Sequence, residues 1–354
     1  MKKIRVGING LGRIGRAFLK VALLRPEIEV VAINELGDIE NMAYLLRYDS
    51  VYGRSNFQFS IINSQAEQFL VVEDKKVRYL SEKDPAKLPW KDLDIDVVVE
   101  STGFFASVEK SQAHIGAGAK RVVITAPLKE PSQTDADLTQ TNAEGKTILM
   151  GVNESELATC KISSNASCTT NAASPLISIL DEAIGVEKAV LNTVHAYTAT
   201  QALVDSAAGN KGLREGRAAA ANMIPSSTGA AVAVTKAFTK LDGLFDGISI
   251  RVPVLVGSIA DVTFIAKRAT SVEEVNKILR AAGKDPRWQG IFVATDEELV
   301  SSDIIGRPEG SIADLSMTRV VGGNLVKVLA WYDNEMGYAA TLLSHVLKAG
   351  AYIS

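Results

Sequence analysis

The chain has few of the residues that most often carry chemistry. Among 354 residues there are two cysteines, Cys160 and Cys168, three histidines and three tryptophans. Two cysteines so close in sequence build no disulfide framework, so a reducing compartment is expected. Charge excess is also missing. A net charge of −3 provides no bulk attraction toward nucleic acid or an anionic membrane, and neither partner is indicated. No uninterrupted apolar run approaches the length of a membrane span. After the basic Met1-Lys2-Lys3 comes a short β run broken by glycines, not the apolar core of a secretion signal. A cytoplasmic soluble protein is therefore expected, and no metal is expected in it. No internal repeat or low-complexity segment interrupts the chain. The remaining composition, 47% apolar and 22% charged, is that of an ordinary globular protein, and the length suggests two domains.

The first 150 or so residues read as a dinucleotide-binding unit. Ile4-Arg5-Val6-Gly7-Ile8 is β-rich, Ala17-Phe18-Leu19-Lys20-Val21-Ala22 has a helical pattern, and Ile28-Glu29-Val30-Val31-Ala32-Ile33 is a second strand. Between the first strand and the helix lie Gly10, Gly12 and Gly15, spaced Gly-x-Gly-x-x-Gly. In that context Gly10 permits a tight turn, Gly12 lets the backbone approach a pyrophosphate, and Gly15 lets helix pack on strand. The helix N-terminus then receives the phosphates. Glu35, at the end of the second strand, suits the two adenosine ribose hydroxyls and repels a 2′-phosphate, which favours NAD over NADP. Later β runs lie at 69–72, 97–103 and 121–127, and the last two end in Ser, Thr, Gly or Pro. Ser101, Thr102 and Thr125 sit at strand carboxyl ends, where open α/β sheets bind ligands.

The second half is built around residues 163–171, Ser-Ser-Asn-Ala-Ser-Cys-Thr-Thr-Asn, which precede a helical pattern running to Leu180. A thiol at a helix start meets free N–H groups and the positive end of the helix dipole, and both favour the thiolate nucleophile. The strand 189–198 delivers His195 just before a threonine-rich turn, making a thiol/imidazole pair plausible. With a dinucleotide motif present, that pair points to covalent aldehyde oxidation. His114 and His345 lie in helical segments and read as structural or surface residues. The stretch 201–227 is long, Gly/Ala-rich and weakly periodic, which suggests a functional or interface segment. β runs at 247–253, 259–266 and 325–332 suggest a mainly antiparallel sheet, and 334–351 reads as a terminal helix.

Several motifs spread over the chain together resemble glyceraldehyde-3-phosphate dehydrogenases. They are Gly-Ile-Asn-Gly-Leu-Gly-Arg-Ile-Gly-Arg at 7–16, Ser-Asn-Ala-Ser-Cys-Thr-Thr-Asn at 164–171 and His-Ala-Tyr-Thr-Ala-Thr-Gln at 195–201. Residues 217–231, Arg-Val-Pro at 251–253 and Trp-Tyr-Asp-Asn-Glu at 331–335 match as well. The resemblance implies an α/β subunit of a homotetramer. A Rossmann-type doubly wound parallel sheet domain would cover 1–167 and an α+β catalytic domain 168–333, with the helix 334–354 packing back on the first. It implies Cys168 as nucleophile and His195 as its base. Arg13, Ile14, Glu35, Lys83 and Thr125 would line the NAD site, and Asn334 would meet the nicotinamide carboxamide. Thr198 with Arg251 would form one phosphate site, and Ser167, Thr169 and Thr228 with Gly229 another. The implied reaction oxidises glyceraldehyde 3-phosphate with NAD and inorganic phosphate to 1,3-bisphosphoglycerate.

Four departures qualify the pattern. Ala172 stands where many members have a second cysteine, and Met336 where a tryptophan is usual. Arg214-Glu215 replaces two adjacent arginines, which bears on the phosphate loop's electrostatics. Asp205-Ser206-Ala207 lacks the Leu-Pro of strict NAD users, a form similar to relatives that tolerate NADP, so residual NADP use is expected. The nearest alternative is erythrose-4-phosphate dehydrogenase, which Asn34-Glu35-Leu36 and Tyr48-Asp49-Ser50 resemble. Thr198 and Ser227-Thr228-Gly229 favour the glyceraldehyde enzymes. The Ser-Cys-Thr-Thr-Asn context disfavours semialdehyde or acyl-phosphate reductases, and intact Cys168 and His195 disfavour a purely binding role.

Overall fold

The computed structural model describes residues 3–64, 67–129, 145–208 and 212–353. The chain forms two compact units. The first comprises Met1–Ile148, Asn153–Ala166 and Leu342–Ser354, and the second Leu149–Val152 and Ser167–Thr341. Among the described residues no helix is long and apolar enough to cross a membrane.

In the first unit, strand Ile4–Asn9 lies parallel to Ile28–Asn34, and helix Arg13–Leu23 makes the crossover between them. The helix buries Gly15, Ala17, Phe18, Leu19 and Ala22. Gly15 has no room for a side chain, since a Cβ there would stand 2.2 Å from the Gly10 carbonyl oxygen. Gly10 itself has φ +94°, a backbone that glycine adopts without strain. Val97–Glu100 adds to the other edge of the first strand, followed by Arg121–Ile124, Ile162–Ser164 and Gly145–Thr147, all parallel. On the far side Lys75–Leu80 is parallel to the second strand, whereas Gln68–Val72 and Phe59–Asn63 turn back antiparallel. The β run at 69–72 therefore belongs to a meander and not to the ligand-binding parallel set. Only Glu73 and Asp74 separate it from Lys75, and a link that short makes a hairpin, never a crossover.

His114 and His345 are both fully enclosed in this unit, so neither is a surface residue. The Trp90 indole N–H donates to His114 Nδ1 at 3.0 Å, which leaves the proton on Nε2, 3.0 Å from Glu100 Oε2. His345 Nδ1 lies 3.1 Å from Asn165 Oδ1, an acceptor, so Nε2 accepts from the Ser163 hydroxyl at 2.8 Å. Burial depresses His345 to about 3, so the ring is neutral. The set has the hydrogen-bond order of a hydrolytic triad, but Ser163, His345 and Asn165 are all closed to solvent and act as a clasp.

The second unit is a seven-stranded sheet with helices packed on it. An inner strand, Val186–Ala196, runs antiparallel to the central strand, Ser258–Ala266, and parallel to Phe245–Val252. Ile224–Ser227 closes one edge. Leu325–Tyr332, Ser311–Val321 and Phe292–Thr295 extend the other. Two pairings, Val186–Ala196 with Phe245–Val252 and Phe292–Thr295 with Ser311–Val321, are parallel and the remainder antiparallel. Helix Cys168–Ile184 is buried along most of its length. The final helix spans Met336–Ala351.

Candidate active site

Cys168 is positioned by its own approach segment. Strand Ile162–Ser164 is followed by Asn165, whose N–H donates to the Ile124 carbonyl at 3.0 Å. Ala166 then takes φ +52°, a left-handed turn costing a non-glycine residue roughly 1–2 kcal/mol. Its N–H is held by Ser164 Oγ at 2.9 Å. Ser167 caps the next helix, its Oγ accepting from the Thr170 N–H at 3.1 Å, so Cys168 becomes the first helical residue.

From strand Val186–Ala196 His195 reaches across to place Nε2 3.3 Å from Cys168 Sγ. Its neighbour follows from strand register. Because Val186–Ala196 runs parallel to Phe245–Val252, Arg251 pairs with His195 and its Nη1 lies 2.5 Å from Nδ1. The same Nη1 donates to the Ala196 carbonyl at 3.3 Å, and His195 Nδ1 lies 2.6 Å from that carbonyl. The carbonyl oxygen, which only accepts, favours a proton on Nδ1 and so a free lone pair on Nε2 facing the thiol, whereas the guanidinium, which only donates, favours the opposite tautomer. The sequence reading missed Tyr332. Its hydroxyl lies 2.8 Å from both Thr169 Oγ1 and Thr193 Oγ1, and its ring packs edge-on against His195 at 5.9 Å. Burial raises its phenol well above the usual range, which keeps it neutral. The only sequence signal was its place in the Trp-Tyr-Asp-Asn-Glu run.

The electrostatics modify one expectation. Burial pushes the Cys168 thiol up, whereas the Arg251 charge and the helix-start N–H groups of Thr169 and Cys168 pull it down. The helix start thus acts in the expected direction but does not outweigh burial. Burial and then the Arg251 charge depress His195 to about 3, against the opposing bond to Ala196. The resting pair is a neutral thiol facing a neutral imidazole. Cys160 is a separate case. It is buried, with Sγ 3.7 Å from the Glu156 carbonyl, and burial raises its thiol.

Of the other residues of this unit, Thr169 lies in the same helix and the segment with Thr228 and Gly229 is bonded to it. Thr170 Oγ1 donates to the Ala230 carbonyl at 3.4 Å, tying the Cys168 helix to the segment holding Thr228 and Gly229. Thr228 Oγ1 accepts from the Ala230 N–H at 3.1 Å. Thr169 spends its hydroxyl on Tyr332, and Thr198 has its N–H directed at Gln201 Oε1 at 2.7 Å. Asn334 is buried, its Oδ1 accepting from the Gly257 N–H at 3.2 Å and the Ser258 hydroxyl at 3.1 Å.

The first unit holds a cavity of about 660 Å³ lined by Gly10, Gly12, Glu35, Lys83, Ser101 and Thr102. Asn9, Asn34, Phe104 and Phe105 also line it and were missed, although the two asparagines end parallel strands. Arg13, Ile14, Gly15 and Thr125 are not among the lining residues. Arg13 pairs with Asp49 at 2.9 Å and stacks on Tyr52, while the Thr125 N–H donates to the Glu100 carbonyl at 3.0 Å. A Cβ on Gly12 would meet no protein atom within 4 Å, so its bare backbone leaves room for a ligand and not for protein packing. Glu35 is fixed by the Leu11 N–H at 2.6 Å and the Gly37 N–H at 3.0 Å. Its charge therefore stands at the cavity wall. Among the described residues no cation pairs with it, Lys83 included.

Two outcomes follow. His195→Asn removes the proton acceptor and leaves a thiol whose burial opposes ionisation. Iodoacetamide modification of Cys168 near neutral pH should slow on the order of a hundredfold, with its pH profile displaced to alkaline values. An unchanged profile would make His195 a structural residue only. Glu35 should set cofactor choice, since like charges 4 Å apart repel by about 4 kcal/mol at an effective dielectric near 20. Glu35→Ala should therefore raise kcat/KM for NADP more than for NAD. Equal kcat/KM for the two cofactors in the unaltered protein would contradict this.

Comparison with known proteins gives a family match in both parts of the chain. Residues 4–108 match the family described as glyceraldehyde 3-phosphate dehydrogenase, NAD binding domain, and residues 167–334 match its C-terminal domain. The glyceraldehyde-3-phosphate dehydrogenase of Streptomyces coelicolor is 42% identical over 350 residues, covering 98% of each chain. That of Mycobacterium avium is 42% identical over 354 residues, again 98% of each. Glyceraldehyde-3-phosphate dehydrogenase B of Aspergillus oryzae is 42% identical over 352 residues, 99% of this chain and 98% of its own. The cavity bounded by Gly12 and Glu35 fits the NAD such a domain takes, and by sequence over its whole length the chain belongs to the glyceraldehyde-3-phosphate dehydrogenase family.

Proposed function

We propose that the chain oxidises D-glyceraldehyde 3-phosphate with NAD and inorganic phosphate, through a thioester on Cys168. The observation that carries this reading is the 3.3 Å contact between Cys168 Sγ, at a helix start, and His195 Nε2. Cys168 gives its proton to His195 and adds to the aldehyde carbon, forming a hemithioacetal. The oxyanion that develops is met by the Cys168 backbone N–H and the newly protonated Nε2. Bound NAD supplies the hydride acceptor that makes oxidation to the thioester possible. His195 then takes the last hydroxyl proton, and phosphate attacks the thioester carbon to release an acyl phosphate and the thiol. Thr198 with Arg251, and Ser167, Thr169 and Thr228 with Gly229, supply the hydroxyl, N–H and guanidinium donors that phosphate dianions require. The names of the relatives do not favour erythrose 4-phosphate as the substrate.

A homotetramer fits the same reading. Val190 and Ile248 expose 61% and 52% of their surface on neighbouring strands of the second unit's sheet, and Leu203, Leu213 and Met223 are more exposed still. Apolar side chains gathered on one unit in this way suit burial by further copies of the chain. Light scattering at micromolar concentration should return a tetramer, and a monomer mass would refute this part of the proposal.

Initial rates test the reaction directly. NADH formation should be faster with glyceraldehyde 3-phosphate than with erythrose 4-phosphate, should fall to a single turnover without phosphate, and should vanish in Cys168→Ser. Turnover that ignores phosphate, or survives in Cys168→Ser, would contradict the covalent route.

A further inference from the structure

Glu100 ends strand Val97–Glu100 and has only 1% of its surface exposed. Four donors converge on it. Its Oε1 accepts from the Thr102 N–H at 2.8 Å and from the Thr102 hydroxyl. Its Oε2 accepts from Asn9 Nδ2 at 2.5 Å and from His114 Nε2 at 3.0 Å. The polarity of these bonds is set from both ends. The Trp90 indole N–H only donates, so His114 offers it Nδ1 and turns its Nε2–H to Glu100. At the other end the Glu82 N–H donates to Asn34 Oδ1 at 2.8 Å. That turns Asn34 Nδ2 toward the Glu82 carbonyl at 2.8 Å and Asn9 Oδ1 at 2.7 Å. Asn9 therefore has one orientation, with its NH₂ on Glu100.

Two of the groups held in this way, Asn9 and Thr102, line the cavity of the first unit, as do Phe104 and Phe105, whereas Glu100 lies beneath that lining. Packing does little to hold the wall at 101–105, since Phe104 exposes 78% of its surface. Hydrogen bonds fix it instead. Ser101 Oγ donates to the Gly10 carbonyl at 2.6 Å, and the Ser111 hydroxyl to the Phe105 carbonyl at 2.6 Å. Between these two ends the Phe104 N–H donates to Thr102 Oγ1 at 3.1 Å, and Thr102 is held by Glu100. We propose that Glu100 is a positioning residue of the NAD site, which acts through Asn9 and Thr102 to fix the cavity wall before the dinucleotide arrives. A site formed in advance loses less binding energy to the ordering of its own wall. The inference rests on the reading of this cavity as the NAD site.

The test is the dissociation constant for NAD, measured by calorimetry on the assembled protein, for Glu100→Gln, Asn9→Asp and the two combined. Glu100→Gln keeps the size but replaces one acceptor by an NH₂. Whichever way that amide turns, its NH₂ meets groups that donate, the Thr102 N–H on one side or Asn9 and His114 on the other. Asn9→Asp sets carboxylate against carboxylate. Each single variant should raise the NAD Kd about tenfold or more, the scale on which one buried group left unpaired acts. The combination restores the bonds. A carboxylate at position 9 accepts from Asn34, from the new NH₂ and from His114 Nε2, which lies 3.4 Å from Asn9 Nδ2. It should bind NAD more tightly than either single variant. His114→Phe, which removes one donor and keeps a ring beside Trp90 and Phe105, should weaken NAD binding as well. In Glu100→Gln the KM for NAD should rise while kcat at saturating NAD stays within about twofold. Its rate of Cys168 alkylation without NAD should not move. An unchanged NAD Kd in Glu100→Gln, or a combination that binds no better than the single variants, overturns the inference. A fall in Cys168 alkylation that parallels the loss of NAD affinity also overturns it, since the role would then be one of general folding. If the unaltered protein binds no NAD, the cavity reading fails first and the inference falls with it.

Discussion

The proposed chemistry depends on one proton transfer, from the Cys168 thiol to an imidazole nitrogen 3.3 Å away. Neither partner is reactive alone. Burial holds the thiol up and the imidazole down, so each is neutral at rest. What makes the pair useful is that the thiolate appears only together with an imidazolium beside it, in position to meet the oxyanion. The enclosure that suppresses the isolated thiolate also strengthens that charge pair once formed. Cys160 shows the contrast: burial raises its thiol too, but the partner of its Sγ is the Glu156 carbonyl and not an imidazole.

The surrounding fold fixes that distance from two sides. The left-handed turn at Ala166 and the Ser167 cap decide where the helix begins, and hence where Sγ lies. The pairing of Val186–Ala196 with its neighbours decides where the ring lies. Tyr332 braces both, with its hydroxyl between Thr169 and Thr193 and its ring against His195. The clasp of His345 with Ser163 and Asn165 secures the strand from which the approach segment departs. Three histidines thus have three roles set by surroundings alone. His114 supports a carboxylate, His345 closes a clasp, and His195 has its Nε2 aimed at a thiol.

What could be read from the sequence was local. The glycine spacing at 10, 12 and 15, the acid ending the second strand and the capping residues before Cys168 each act within a few residues, so their chemistry shows in the chain itself. The contact of Arg251 with His195 did not show, because it joins residues 56 apart through the register of two strands. Strand Ser311–Val321 was missed because Ser311, Asp314 and Thr318 interrupt its apolar pattern, although all three are buried. For the histidines at 114 and 345 the sequence left structural and surface roles open, because their partners, Glu100 and Trp90 for one and Ser163 and Asn165 for the other, lie on other elements. The preference for thiolate was overstated for a related reason. A helix start can be read from sequence, but the burial that opposes it cannot.

The covalent step can be observed without turnover. Mixing the protein with glyceraldehyde 3-phosphate and excess NAD in phosphate-free buffer, then quenching in acid, should trap one acyl group per chain. Peptide mass mapping should place it on the fragment carrying Cys168, and adding phosphate before the quench should remove it. An unmodified Cys168 alongside NADH formation, or an acyl group found on Cys160, would contradict the account.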